Sequence, residues 1–403
     1  MEQGNDGFEC VGVDLTDALA LAGLVAPVPR SLRLTEPCGL VLKAVPAGLV
    51  MRAAFEGSSV EVRLPAGFSR GQMVIHQPSL EQVAGALVLE APGGGEPSPV
   101  RSIRPLTLTR RSDGGIEAAV ADRRAPVLAL DDAAAAPEVP NAQLVASVSR
   151  EPLEEALTLA LAASEASGER PGLVVRLEVI ADGVRVVGGD SLRRLIAVVS
   201  AITTEDAGGA VVLPARRLRD VVSALRGPSV GIGFLEQVAG PPRLVLVCGD
   251  ARVVLRTARG DALAPASMPE AGGCGWVFVD REPLLVEVRR ARMVTEASDV
   301  ARPEVELSVE AGGVRVRPLL RRAVGEATSG WVGAARVDDA AVGARRRYDG
   351  HLLASVLGAA SGERVVLDVG RPGASTAVED AGGGWNGRFA VRQLIRCGAV
   401  GGR

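Results

Sequence analysis

The pentapeptide Ser149-Arg-Glu-Pro-Leu153 returns as Asp280-Arg-Glu-Pro-Leu284, 131 residues further along the chain. Each copy opens a segment with helical spacing. In the first, Leu153, Leu157, Ala160 and Leu161 share a face; in the second, Leu284, Leu285, Val288 and Ala291 do. An Arg-Glu-Pro start suits a helix N-terminus, because a first-turn proline gives up an N–H that has no intrahelical acceptor. The matches continue in order. Ala181-Asp-Gly-Val-Arg-Val186 corresponds to Ala311-Gly-Gly-Val-Arg-Val316 at an offset of 130, each reading as the turn and second strand of a hairpin. Gly39-Leu-Val-Leu-Lys43 corresponds to Gly172-Leu-Val-Val-Arg176 at an offset of 133. Residues 74–87 correspond to 212–225 at an offset of 138, so that Leu80, Val83 and Leu87 match Leu218, Val221 and Leu225 on a helical face. Residues 349–359 are a weaker third copy.

Each third therefore reads as helix, strand hairpin, further strand, second helix and strands. The period exceeds that of solenoid repeats, so the expectation is tandem small α+β domains of about 134 residues. The boundaries expected are 1–140, 141–270 and 271–403. Residues 131–140 (DDAAAAPEVP) and 265–275 have the composition of linkers, and residues 91–99 (APGGGEPSP) that of a loop inside the first domain.

Composition narrows the function. Of 403 residues 47% are hydrophobic but only 2% aromatic, so the cores must be aliphatic. The 45 basic and 48 acidic residues give a net charge of −3. That excludes a wholly basic nucleic-acid coat and an acidic disordered tail, but allows a basic patch on an acidic body. Five cysteines form no CxxC pair and read as free thiols of a reducing compartment. His76 and His351 are the only histidines, so no His/Cys metal site and no cofactor are expected. The start, MEQGNDG, is no signal peptide. The longest apolar run, residues 18–28, falls short of the ~20 residues a membrane span needs, and Pro27 interrupts it. A soluble cytoplasmic protein is expected.

Four further stretches carry a resemblance. They are Val212-Leu-Pro-Ala-Arg-Arg217, Gly189-Asp-Ser-Leu-Arg-Arg-Leu195, the segment from Cys248-Gly-Asp-Ala251 to Arg259-Gly-Asp261, and Phe389-Ala-Val-Arg-Gln-Leu-Ile-Arg396. In their chain order across three α+β repeats they resemble the bacterial sliding clamp, the DNA polymerase III beta subunit, over nearly the whole chain. The resemblance implies clamp-type domains of two helices packed on β-sheet, joined as a head-to-tail homodimeric ring. It implies a processivity factor rather than an enzyme. Such a ring encircles double-stranded DNA without reading sequence, and it tethers the DNA polymerase, the clamp loader and other replication or repair proteins. Phosphate attraction suits that task, since it holds DNA without fixing a register.

The resemblance also implies sites. Helices would line the DNA channel, with Arg216, Arg217, Arg219 and Arg226 in the second domain and Arg289, Arg290 and Arg292 in the third. Arg345, Arg346 and Arg347 precede the third domain's second helix, and Arg30 and Arg33 follow the first helix of the chain. The plainer reading of any one arginine run is a solvated helix face. Against the channel stand Asp14, Asp17 and Glu81 in the first domain, and Glu151, Glu154, Glu155 and Glu165 in the second. They motivate an alternative, a diverged clamp-fold scaffold that binds proteins and no longer encircles DNA. A groove for short hydrophobic peptides is implied at Asp190, Arg193, Leu195, Pro265, Met268, Val391 and Leu394. The plainer reading makes Leu195, Val391 and Leu394 core residues.

One motif belongs to a different class. Gly189-Asp-Ser-Leu192 spells the nucleophile block of GDSL serine esterases, and Asp349-Gly-His351 offers a base and its carboxylate. That family spaces the pair as DxxH and places the serine near its N-terminus, whereas this chain has DxH and a mid-chain serine. The esterase is the remote alternative. Gly231-Ile-Gly233 lacks the remaining glycines of a phosphate loop and reads as a Gly-rich strand edge.

Overall fold

The computed structural model of the chain describes residues 8–27, 39–89, 106–131, 135–165, 174–189, 193–204, 208–237, 242–258, 275–297, 303–320, 329–360, 362–369, 375–380 and 386–392. Among these lie helices α1 (Thr16–Val25), α2 (Gln77–Leu89), α3 (Arg150–Glu165), α4 (Ala215–Ala224), α5 (Arg281–Glu296) and α6 (Gly350–Ala359). The order strand, helix, four strands, helix, three strands occurs three times, with one extra short strand, Phe68–Arg70, in the first third. The protein is α+β, its sheets antiparallel throughout.

Both Arg-Glu-Pro segments open helices, as expected, and the apolar positions assigned to one face are buried in each. The arginine itself has a use that helical spacing does not reveal. Arg150 donates from its backbone N–H to the carbonyl of Pro228 at 2.8 Å and from Nε to that of Gly227 at 3.2 Å. Arg281 does the same with Glu363 at 2.9 Å and Gly362 at 2.8 Å. In each of the last two thirds, a charged donor thus clasps the chain just beyond the second helix to the start of the first.

Two compact units divide the chain: Met1–Arg150 with Asp220–Thr257, and Glu151–Arg219 with Ala258–Arg403. The middle third contributes a sheet to each. In the first unit, five strands run in the order Phe68–Arg70, Glu9–Val13, Leu106–Arg110, Ile116–Val120, Arg123–Val127. A second sheet starts from Gln72–Ile75, Leu40–Val45, Gly48–Phe55 and Ser58–Leu64. It continues directly into Ala251–Leu255, Arg243–Cys248, Ser229–Leu235 and Leu144–Ser149. In the second unit, Gly209–Pro214, Val174–Ile180, Gly183–Gly189 and Arg193–Thr203 continue into Asn386–Arg392, Ser375–Asp380, Arg364–Asp368 and Trp276–Asp280. Strands Gly330–Val337, Gly313–Leu319, Glu304–Glu310 and Arg345–Asp349 complete that unit, and α5 packs against α6 and the first three of them. Cores are aliphatic, with Phe8 and Tyr348 the largest fully buried side chains.

Two expectations change here. Strand Ser229–Leu235 has a neighbour on each side, so Gly231 and Gly233 sit in a sheet interior, not at an edge. A Cβ on Gly231 would lie 2.7 Å from Leu144 Cδ1, and one on Gly233 2.6 Å from the Gln143 carbonyl, so close approach of a neighbouring chain explains both glycines. The described end of the expected linker, residues 135–140, is a packed strap. The Ala136 N–H donates to the Gly39 carbonyl at 3.0 Å, and Ala136 and Val139 are buried among Val41, Ala54 and Val74 and among Val245 and Val254 respectively. Glu138 pairs with the nearly buried Arg52 at 3.3 Å. Residues 91–99 and 265–274 lie outside the described residues.

His76 starts α2. Its N–H donates to the Leu128 carbonyl at 3.0 Å, and its own carbonyl accepts from Ser79 and Leu80 at 3.0 and 3.2 Å. Burial lowers its pKa from the usual imidazole value, against a smaller opposing pull from Glu81. Below the ordinary value of about 6.5 the unfolded chain therefore binds more protons than the folded one, so stability rises with pH through that window and is lost as pH falls. Between pH 7 and 5.5, His76→Gln should lose less stability than the parent, as read from urea midpoints; parallel losses would refute the assignment. Cys10 and Cys248 are free and buried, and burial pushes the Cys10 thiol up to about 11.

Candidate nucleic-acid interface and peptide groove

Helix α4 buries Leu218, Val221 and Val222, which turns Arg216 outward and leaves Arg217 and Arg219 half-buried. Arg226 lies past its end and grips Asp17 of α1 in a bidentate pair, Nε to Oδ2 at 3.1 Å and Nη2 to Oδ1 at 2.9 Å. That contact accounts for one of the first third's acids. The others have local partners too: Asp14 Oδ1 accepts the Thr16 N–H at 2.9 Å, and Glu81 accepts from Gln77 at 2.8 Å. Being exposed, the Arg226–Asp17 pair is worth about 0–1 kcal/mol, so it neutralises charge more than it stabilises.

Helix α5 buries Leu284, Leu285, Val288 and Ala291 and exposes Arg289 and Arg290. Arg290 pairs with Glu287 at 3.4 Å, one helical turn back. Arg292 pairs with Glu296 at 3.4 Å, and Glu296 also meets His351 Nε2 of α6 at 2.9 Å. Arg345, Arg346 and Arg347 stand on a strand, where successive side chains alternate faces. Arg347 meets Glu306 at 3.5 Å, and Arg346 donates to the Val369 carbonyl at 3.0 Å. Arg30 and Arg33 lie outside the described residues.

Of the groove residues, the structure brings Arg193, Leu195 and Val391 together. Strand Arg193–Thr203 pairs with Asn386–Arg392, placing Arg193 opposite Val391 and Leu195 opposite Phe389. Asp190, Pro265, Met268 and Leu394 lie outside the described residues. So does Ser191, the candidate nucleophile of the esterase reading. The Asp349–His351 pair is not wired for catalysis: Asp349 Oδ1 accepts the backbone N–H of His351 at 2.9 Å, capping α6, while the imidazole faces Glu296 and Arg292. Among the described residues no group of three or more His, Cys, Asp or Glu is placed to hold a metal ion, and no helix is long and apolar enough to cross a membrane.

No protein-family model matches the chain, and no curated protein matches it in sequence. Solved structures do match in fold. A putative DNA polymerase III beta subunit from Eubacterium rectale superimposes with a TM-score of 0.70 at 13% identity, over 96% of this chain and 100% of that one. The DNA polymerase sliding clamp of Pseudomonas aeruginosa gives 0.69 at 15% identity, over 96% and 99%. The DNA polymerase III beta subunit of Thermotoga maritima gives 0.68 at 14% identity, over 96% and 99%. From its first described strand to its last, the chain has the fold of the bacterial sliding clamps.

Proposed function

We propose that two copies of this chain close head to tail into a ring around duplex DNA, acting in the cytoplasm as a processivity clamp without catalytic activity of its own. Its three domains are then 1–140, 141–270 and 271–403. The observation that carries this reading is how successive thirds join. Strand Ala251–Leu255, the last of the middle third, pairs with Ser58–Leu64 of the first. Strand Asn386–Arg392, the last of the final third, pairs with Arg193–Thr203 of the middle one. The rule leaves one giver and one receiver over. Arg123–Val127, the last strand of the first third, pairs along its described length only with Ile116–Val120. Gly330–Val337 holds the receiving place in the final third; its Ala334–Val337 end pairs with Trp276–Asp280, which leaves Gly330–Gly333 for a partner. Joining these two edges between copies repeats the rule, and a head-to-tail contact that closes makes a ring rather than a fibre. Exposed Trp331 on that receiving strand supplies apolar surface for the seam.

In this ring α4 and α5 turn Arg216, Arg217, Arg219, Arg289, Arg290 and Arg292 toward phosphates. The paired strands carrying Arg193, Leu195 and Val391 form one wall of a groove for hydrophobic peptides of a polymerase and a clamp loader. On nicked plasmid, the protein should stay on closed circles in moderate salt and run off once the circle is cut. Equal loss from both forms would refute the ring. It would favour a protein-binding scaffold, which the carboxylate partners of Arg226, Arg290, Arg292 and Arg347 also suit.

A further inference from the structure

Arg123–Val127 and Ala251–Leu255 are the same strand of successive thirds. Each follows a two-residue turn, Ala121-Asp122 or Gly249-Asp250, whose first residue has a φ of 54° or 55°. Each folds back on the strand before it, with Arg123 opposite Val120 and Ala251 opposite Cys248. In such a hairpin the pair flanking the turn exchanges both hydrogen bonds, and every second residue beyond it points its N–H and C=O away from the partner. Arg252 and Val254 thus face outward, toward Ser58–Leu64. The Arg63 N–H donating to the Asp250 carbonyl at 3.0 Å marks that same side. Their counterparts in the first third are Arg124 and Pro126.

Pro126 has no N–H, and it stands where Val254 has a donor aimed at the next third. Its own hairpin loses nothing, because the pair it makes with Glu117 is one of the non-hydrogen-bonded pairs. Farther along, the outward side is already taken: the Leu128 carbonyl accepts from His76 at 3.0 Å, and the Leu130 N–H donates to Val74 at 2.9 Å. Among the described residues the open stretch is therefore Arg124 to Pro126, with one donor where the internal junction has two.

We infer that Pro126 makes the seam between copies weaker than the junctions inside the chain, so that the ring parts at the Arg123–Val127 edge. This rests on the ring proposed above. Pro126→Val installs the residue that the middle third uses there. One restored backbone hydrogen bond should tighten each seam by roughly twofold to tenfold, and both seams of a ring together by roughly fivefold to a hundredfold. The readout is the dimer dissociation constant from sedimentation equilibrium over a dilution series, for the full-length parent, Pro126→Val and Pro126→Thr, each shown to melt as the parent does. Tighter dimers in either variant support the inference. An unchanged constant in both, with the parent dimeric, overturns it and leaves the ring standing. If parent and variants stay monomeric at every concentration, the ring falls and the inference with it, and Pro126 is the edge guard of a monomer.

Discussion

Replacing Gly183 by valine should cost the second unit about 3–5 kcal/mol, a large share of a typical domain's stability. Gly183 has a φ of 155°, outside the range of an L side chain. A Cβ there would sit on the carbonyl oxygen of Val199, a backbone atom of the neighbouring strand that no rotamer change can move. The strand lies between two others, so relief means shifting the Val174–Ile180 pairing, the Arg193–Thr203 pairing, or both. The same device recurs: a Cβ on Gly48 would meet the Leu64 carbonyl, and one on Gly313 the Val332 carbonyl. Urea denaturation checks the expectation. A midpoint within error of the parent would mean that the hairpin register is wrong.

The second large effect tests the proposed hold on DNA. Arg216 and Arg289 are exposed on α4 and α5, and among the described residues no carboxylate contact is seen at Arg289. Each phosphate contact contributes about 0.9 to the slope of log affinity against log salt. Arg216→Ala with Arg289→Ala removes two arginines from each of the two copies of the proposed ring, so it should flatten that slope by about two to four and weaken binding to all sequences alike. Arg226→Ala should change the slope less, because Asp17 already holds that guanidinium. Fluorescence anisotropy on duplexes of several sequences, titrated with salt, checks this. A slope unmoved by the double substitution would remove α4 and α5 from the channel.

The repeat made much of the fold readable. The helical faces of α3 and α5 and the hairpin turns at Gly183 and Gly313 are local patterns, set by a period of 3.6 or by one glycine. What escaped is non-local. The acceptors of Arg150 and Arg281 come 77 and 81 residues later, so the sequence around Arg-Glu-Pro marks a helix start but not a clasp. The Gly231 strand reads as an edge in the sequence because a strand's own residues do not reveal whether neighbours lie on both sides. Residues 131–140 look like a linker because small alanines read alike whether packed or solvated. At the candidate site, the arginines were visible but their carboxylate partners were not. Asp17 and Arg226 are 209 residues apart, and only the fold brings them together.

The sharing of the middle third between two compact units bears on how such a chain can be divided. The repeated segments are modules of sequence, yet the structural units do not coincide with them. A cut at either expected boundary would leave a sheet torn along a backbone ladder, exposing four register pairs at Ala251–Val254 or six at Arg193–Val198. Recombination that swaps one third for a homologue must therefore match strand edges, not merely splice points. Thirds can diverge in surface and charge far more readily than in the edges by which they hold one another.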